Sequence, residues 1–121
     1  MAKRILTVDD SRTMRDMVNF TLRGAGFEVY EAEDGLKALS ALDVNKVDAI
    51  ITDINMPNMD GITLIRQVRA SAKHKVTPIV ILTTESDGAK KAEGRTAGAT
   101  AWLVKPFAPE KLIEVVRKVC P

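Results

Sequence analysis

Short apolar runs alternate with longer amphipathic stretches along the whole chain. Several runs are rich in β-branched residues, which is typical of strands buried on both faces of a sheet. The clearest is Ala49-Ile50-Ile51, which leads into Asp53. Residues 27–31 alternate instead between apolar and polar positions, and this predicts a strand nearer an edge. The pattern predicts five strands, at residues 4–8, 27–31, 47–53, 78–83 and 101–104.

Helical periodicity fills the segments between these runs. In the first segment, apolar or small residues recur at i, i+3, i+4, i+7, i+8 and i+11, which predicts a helix packed on a sheet; they are Met14, Met17, Val18, Thr21, Leu22 and Ala25. A second helix should begin at Asp34-Gly35 and a fourth should span residues 87–97 before Gly98. The inward positions of helices 2, 3 and 5 are predicted to be Leu36, Leu39 and Leu42; Ile62, Ile65 and Val68; and Leu112, Val116 and Val119.

Strand and helix therefore alternate five times with short connections. Such alternation predicts an α/β fold with a parallel sheet, right-handed crossovers and helices on both faces. No linker or repeat interrupts the pattern, so we expect one domain over residues 1–121.

Composition narrows the functional classes only slightly. The chain is 45% hydrophobic and 28% charged, with a net charge of +2 that is too small to indicate nucleic-acid binding. No apolar run approaches the ~20 residues of a membrane span, and the single Cys120 suits a reducing cytoplasm. Charge is uneven: residues 1–87 carry −2 and residues 88–121 carry +4. The one histidine, His74, lies in a predicted polar loop, where a solvated side chain is expected and a zinc site is unsupported.

Polar side chains terminate four of the predicted strands. Strand 1 ends in Asp9-Asp10, strand 3 in Asp53, strand 4 in Thr83 and strand 5 in Lys105. In a parallel sheet these ends share one edge, and three neighbouring carboxylates there would repel one another. A hard divalent cation such as Mg²⁺ relieves that repulsion, and it commonly binds phosphate oxygens as well. Lys105 and Thr83 could neutralise and hydrogen-bond a phosphoryl group at such a site.

These residues resemble the motifs of a response-regulator receiver domain, and specifically of CheY-type single-domain chemotaxis regulators. The resemblance spans essentially the whole chain; the motifs are Asp9-Asp10, Asp53-Ile54-Asn55-Met56-Pro57-Asn58-Met59-Asp60-Gly61, Thr83-Thr84 and Lys105-Pro106-Phe107. It implies a flavodoxin-like strand order of 2-1-3-4-5 and a cis peptide at Lys105-Pro106.

The resemblance also implies roles at the site. Asp53 should accept a phosphoryl group from a CheA-type histidine kinase. Mg²⁺ should be bound by Asp10 directly, by Asp9 through water and by the Asn55 carbonyl, together with Asp53. Asn55 and Glu85 should flank the water that hydrolyses the phosphoryl group. The protein is then not an enzyme in the usual sense, since it would catalyse only its own phosphorylation and dephosphorylation.

Two positions depart from the commonest family pattern. By the resemblance, Thr83 carries the hydroxyl that switches on phosphorylation. Thr84 follows it, where the family usually has a small residue, and Trp102 stands where Tyr or Phe is usual. The fourth helix is predicted to be marginal because Gly94 in its interior costs ~1 kcal/mol relative to Ala. A surface made by helix 4, strand 5 and helix 5 is the expected output face; it would carry Lys90, Lys91, Arg95, Trp102 and Lys111.

Three other classes fit less well. A haloacid-dehalogenase-type phosphatase needs an Asp where Asn55 stands, and Asp9-Asp10 would repel the phosphate of FMN in a flavodoxin. A transcription factor would need a DNA-binding domain beyond Pro121. We expect a cytoplasmic monomer that binds neither nucleic acid nor membrane. Its expected partner is a flagellar motor switch protein or another output protein, and a phosphatase could also act on it. A phosphate sink or phosphorelay shuttle remains the alternative.

Overall fold

The computed structural model describes residues 2–84 and 88–121, and it contains five strands and five helices in strict alternation. The elements are β1 (Arg4–Val8), α1 (Arg12–Gly24), β2 (Glu28–Ala32), α2 (Gly35–Val44), β3 (Ala49–Thr52), α3 (Gly61–Ala70), β4 (Ile79–Thr83), α4 (Gly88–Ala97), β5 (Ala101–Val104) and α5 (Pro109–Val119). The α/β class is confirmed.

All five strands are parallel and form one sheet in the order β2-β1-β3-β4-β5. This flavodoxin-like order places β1 and β3 at the centre and β2 and β5 at the edges. In register, Val8 of β1 lies beside Thr52 of β3, and Thr83 of β4 lies beside Val104 of β5. The carboxyl ends of the strands therefore meet at one edge, as the sequence predicts.

The sheet separates two hydrophobic cores. Helices α1 and α5 cover one face, where Val18, Leu22, Leu112 and Val116 pack with Ile51 and other strand residues. Helices α2, α3 and α4 cover the other face, and Trp102 packs at the margin of that second core. A chain of this length can bury roughly two-thirds of its unfolded surface in such layers.

The predicted inward positions of two helices need correction. Leu36 is 51% exposed, because the buried face of α2 is set by Gly35, Ala38 and Leu42, and Leu36 points away from it. Met17 is 42% exposed, because α1 turns the polar Asn19 inward instead. The Asn19 side chain accepts a hydrogen bond from Thr7 Oγ1 at 2.6 Å, a pairing that apolar periodicity could not indicate.

His74 is not solvated, contrary to the prediction. It is 2% exposed; Nε2 donates to the Leu42 carbonyl at 3.2 Å, and Nδ1 lies 3.3 Å from Thr77 Oγ1. These contacts tie the connection before β4 to the end of α2. Leu42 is 32 residues away in the sequence, and Thr77 offers only a hydroxyl. No local pattern therefore indicated that the histidine is buried.

Arg69, in the last turn of α3, fixes two connections at once. Its guanidinium donates to the Gly98 carbonyl at 2.9 and 3.1 Å and to the Thr77 carbonyl at 2.6 Å. Burial lowers the pKa of this guanidinium from its ordinary value. Among the described helices, none is long and apolar enough to cross a membrane.

Candidate functional site

Asp53 directly follows β3 and is held by main-chain contacts on both sides. Its amide donates to the Val8 carbonyl at 3.0 Å, and its Oδ1 accepts from the Ile54 amide at 2.7 Å. The start of α3 closes over it, since the Gly61 amide donates to the Ile54 carbonyl at 2.8 Å. The carboxylate is therefore fixed at the carboxyl edge of the sheet.

Three carboxylates converge at this edge. One oxygen from each of Asp9, Asp10 and Asp53 lies within 4.8 Å of the others. Asp9 is buried, and its Oδ1 accepts from the Ser11 amide at 2.9 Å, whereas Asp10 is exposed. A group of this kind offers hard oxygen ligands from two strands, and it could hold a divalent metal ion.

Lys105 bridges two of the three carboxylates. Its Nζ lies 3.1 Å from Asp9 Oδ2 and 3.2 Å from Asp53 Oδ2, and its side chain is only 9% exposed. The backbone amide of Lys105 donates to the Thr83 carbonyl at 2.8 Å, which extends the β4–β5 pairing to the site. The Lys105-Pro106 peptide is cis, as predicted.

The electrostatic balance at Asp53 raises the pKa of its carboxyl above the ordinary value. Burial is the largest cause that raises the pKa of this carboxyl, and the negative charge of Asp9 raises it further. Lys105 and the Ile54 amide oppose that shift without cancelling it. One ammonium cannot neutralise three carboxylates, so the ionised site carries an excess of negative charge that a bound cation would offset.

The remaining predicted site residues occupy different environments. Thr83 is fully buried at the end of β4, at the same edge as Asp53. Asn55 is exposed in the connection after β3, and Thr84 is exposed after β4. Glu85, predicted to lie beside the hydrolytic water, is outside the described residues.

The residues of the predicted output surface lie on α4, β5 and α5. A cavity of about 200 Å³ lies between α4 and β5; its lining is Lys91, Arg95, Ala99, Thr100, Ala101 and Trp102. Lys90 is half-buried on α4, while Lys111 on α5 is exposed and lies 3.7 Å from Glu114.

Gly94 is a buried contact point within α4. A Cβ at this position would lie 2.6 Å from Ile81 Cδ1 and 3.4 Å from Trp102 Cζ3. The predicted helix includes Asp87, which is outside the described residues, and the observed helix is Gly88–Ala97. The sequence predicts the helix-propensity cost of Gly94 but gives no sign of this close approach.

Comparison with known proteins gives a consistent result over the whole chain. A family model described as the response regulator receiver domain matches residues 5–117. The chemotaxis protein CheY1 of Helicobacter pylori is 42% identical over 118 residues, which is 96% of this chain and 95% of that protein. The chemotaxis protein CheY of Pseudomonas aeruginosa is 40% identical over 117 residues, covering 96% of this chain and 94% of that protein.

Solved structures agree with these sequence relatives. The chemotaxis response regulator CheY4 of Vibrio cholerae superposes with a TM-score of 0.94 at 46% identity, covering 98% of this chain and 99% of that one. The receiver domain of the sensor histidine kinase PA1611 from Pseudomonas aeruginosa superposes with a TM-score of 0.92 at 27% identity. It covers 99% of this chain and 98% of that one, and it was crystallised with a magnesium ion coordinated in its active-site cleft.

Proposed function

Because the chain belongs to the response regulator receiver family, we propose that Asp53 accepts a phosphoryl group from a kinase phosphohistidine in the presence of Mg²⁺. The observation that carries this proposal is the convergence of Asp9, Asp10 and Asp53, with the Lys105 ammonium within 3.2 Å of both Asp9 and Asp53. We assign the Mg²⁺ ligands to these three carboxylates and the Asn55 carbonyl. The oxygen donors match the preference of that ion, as does the excess of negative charge.

In the transfer, a carboxylate oxygen of Asp53 forms a bond to phosphorus as the bond between phosphorus and the histidine nitrogen breaks. The ion, when bound, offsets the charge of the phosphoryl oxygens. Lys105, already within 3.2 Å of Asp53, neutralises a further oxygen, and the Thr83 hydroxyl donates to another. The fixed backbone around Asp53 keeps the attacking oxygen oriented, which is most of what phosphoryl transfer needs.

Labelling with a small acyl phosphate tests this assignment directly. We expect one phosphoryl group per chain with Mg²⁺, none in Asp53→Asn, and sharply weakened Mg²⁺ binding in Asp10→Ala. Asp43→Asn is the matched control, because Asp43 is an exposed carboxylate on α2. Undiminished labelling of Asp53→Asn contradicts the assignment.

The phosphoryl group should be short-lived. Asn55 is exposed beside the site, where its side chain can orient a water molecule, and Glu85 is assigned the same role from the family pattern. Thr84 works against them by crowding the approach. A phospho-Asp53 half-life of hours that does not change in Thr84→Ala refutes the idea.

The signal should leave through the surface formed by α4, β5 and α5. Lys91 and Arg95 on α4 offer an exposed basic edge beside Trp102, which suits an acidic amphipathic segment of a partner. The chemotaxis proteins among the relatives support a partner at the flagellar motor switch. The kinase of this pathway should then be of the CheA type.

Beryllium trifluoride with Mg²⁺, as a stable phosphoryl mimic, separates this output from a phosphate sink. We expect amide exchange in residues 85–105 to change more than exchange in α1 to α3, and Trp102 fluorescence to change as well. Binding to a purified motor switch protein should strengthen with the mimic and weaken in Arg95→Glu. If amide exchange on α4 and partner affinity stay unchanged while both change elsewhere in the protein, the output face is misplaced. If phospho-Asp53 is labile and the protein does not bind the motor switch protein, it acts as a phosphate sink.

A further inference from the structure

One carboxylate outside the site holds the connection between β3 and α3. Asp34 is 5% exposed and precedes α2, where its Oδ1 accepts from the Lys37 amide at 2.8 Å. Its other oxygen, Oδ2, accepts from Asn58 Nδ2 at 2.9 Å across 24 residues of sequence. A helix cap needs only one of these oxygens, so the second links two loops.

A steric contact reinforces the same link. A Cβ at Gly35 would lie 2.8 Å from the Cβ and Cγ atoms of Met59 and 2.9 Å from its carbonyl oxygen. The absence of a side chain at Gly35 therefore lets the loop pack against the start of α2. Asn58 itself adopts φ 67, the left-handed region that asparagine tolerates better than most residues.

The charge of Asp34 suits both contacts. The hydrogen bond from the Lys37 amide lowers the pKa of this carboxyl, and the bond from Asn58 lowers it further. Both oxygens of an ionised carboxylate can accept hydrogen bonds, because neither carries a proton.

The braced loop is the one that carries Asn55. The loop is fixed at its start by the Ile54 amide on Asp53 Oδ1 and at its end by Asp60, whose side chain accepts from the Thr63 amide. Asn58 lies between these anchors, three residues beyond Asn55. Among the described residues, this bond to Asp34 is the one side-chain hydrogen bond that links the exposed Asn58 to the start of α2.

We propose that Asp34 and Asn58 are positioning residues that preorganise the Asn55 carbonyl for Mg²⁺ and so set the metal affinity of the site. This inference rests on the proposed function, because it assumes that Mg²⁺ binds at Asp9, Asp10 and Asp53. The physical reason is entropic: an ion that meets an already ordered ligand does not have to order it. Partners that orient metal ligands commonly contribute on the order of tenfold in affinity.

Two substitutions isolate the link from other effects. Asn58→Gly keeps the left-handed backbone accessible but removes the donor, and Asp34→Ser keeps a capping oxygen for α2 while it withdraws the acceptor from Asn58. Mg²⁺ dissociation constants from calorimetry, with MgCl₂ alone as the probe, are compared with thermal midpoints measured without the ion.

We expect each substitution to weaken Mg²⁺ binding on the order of tenfold. The double variant should be no weaker than either single one, since both break the same link. At saturating Mg²⁺ the rate of labelling by an acyl phosphate should return to near the wild-type value, which a general loss of folded protein would not produce. Asp43→Asn on the exposed side of α2 should leave the affinity unchanged.

The outcomes separate this inference from the assignment of the site. Wild-type affinity in both variants, with normal Mg²⁺ binding and Asp53 labelling in the wild type, overturns the positioning role alone. Additive losses in the double variant also overturn it, because the residues then act independently. Failure of the wild-type protein to bind Mg²⁺ overturns both proposals.

Discussion

Gly61 gives a sharp test of how closely α3 approaches Asp53. A Cβ placed on Gly61 would lie well inside van der Waals contact of the Asp53 carbonyl oxygen and 2.9 Å from Ile54 Cα. These are backbone atoms of a buried connection, so they cannot move aside as the end of a flexible side chain can. Gly61→Ala must therefore shift either the start of α3 or the turn after β3.

The expected cost follows from three contributions. Overpacking against a rigid neighbour costs about 1–3 kcal/mol. Displacing the 2.8 Å bond from the Gly61 amide to the Ile54 carbonyl costs a further ~1 kcal/mol. The greater helix propensity of alanine returns at most ~1 kcal/mol, and less at the first position of a helix. The clash outweighs the propensity gain, and the net loss of unfolding free energy is about 1–4 kcal/mol, centred on about 2–3 kcal/mol.

Thermal unfolding followed by circular dichroism measures this loss. For a chain of 121 residues, a loss of that size lowers the midpoint by roughly 10 °C. Gly24→Ala is the matched control: it lies in the last turn of α1, nothing is within 4 Å of the added Cβ, and stability should be unchanged or slightly higher. A midpoint for Gly61→Ala within about 2 °C of the wild type would refute the steric reasoning, since that corresponds to under ~1 kcal/mol.

Two further perturbations test the charges and buried polar contacts. Because folding raises the pKa of Asp53, protonated Asp53 favours the native state below the ordinary value of 3.8, and that advantage is lost as pH rises through the folded pKa. Asp53→Asn should therefore raise the thermal midpoint at neutral pH without Mg²⁺, and the gain should vanish as pH falls below 3.8; an equal gain at every pH contradicts this. His74→Leu leaves the Leu42 carbonyl without its 3.2 Å partner and should lower the unfolding free energy in urea by about 1–3 kcal/mol. His74→Gln, which can still donate, should lose less, and equal losses would contradict the hydrogen-bond explanation.

The carboxylate site at the carboxyl edge of the sheet was the most predictable part of the molecule. Parallel strands bring their carboxyl ends to one edge, so residues that end different strands, such as Asp9, Asp53 and Lys105, had to lie near one another once the fold was inferred. The 3.1 and 3.2 Å contacts of Lys105 agree with that expectation. The strand topology therefore predicted which residues lie together, and their residue types predicted a site for a cation and a phosphoryl group.

The errors share a different origin. Leu36, Met17 and His74 were assigned from periodicity or loop position, and in each case a contact from a distant segment decided the outcome. Met59 packs against Gly35 at the start of α2, and the hydrogen bond from Thr7 holds Asn19 on the buried face of α1. Such pairings depend on the packed structure, so the pattern of a single element carries no information about them.

Asp53 shows how the site departs from what stability alone would favour. Burial and Asp9 both oppose its ionisation, and Lys105 compensates only in part. A fold optimised for stability would replace such a carboxylate with a neutral residue of similar shape, as Asp53→Asn does. The unfavourable charge is retained at the place where a metal ion and a phosphoryl group would use it, which is common at functional sites.

The same contrast explains Gly94 in α4. Judged by propensity it weakens the helix, yet its missing side chain lets α4 rest on Ile81 and Trp102, which are paired in register on β4 and β5. Ile81 lies two residues before Thr83 on β4 and therefore on the same face of that strand. The helix backbone is thus in direct contact with the strand that ends at Thr83, the proposed phosphoryl-sensing residue, and with the Trp102 ring of the proposed output surface. A small shift at the end of β4 would reach α4 through this contact without an intervening flexible side chain on the helix, because packed neighbours move together.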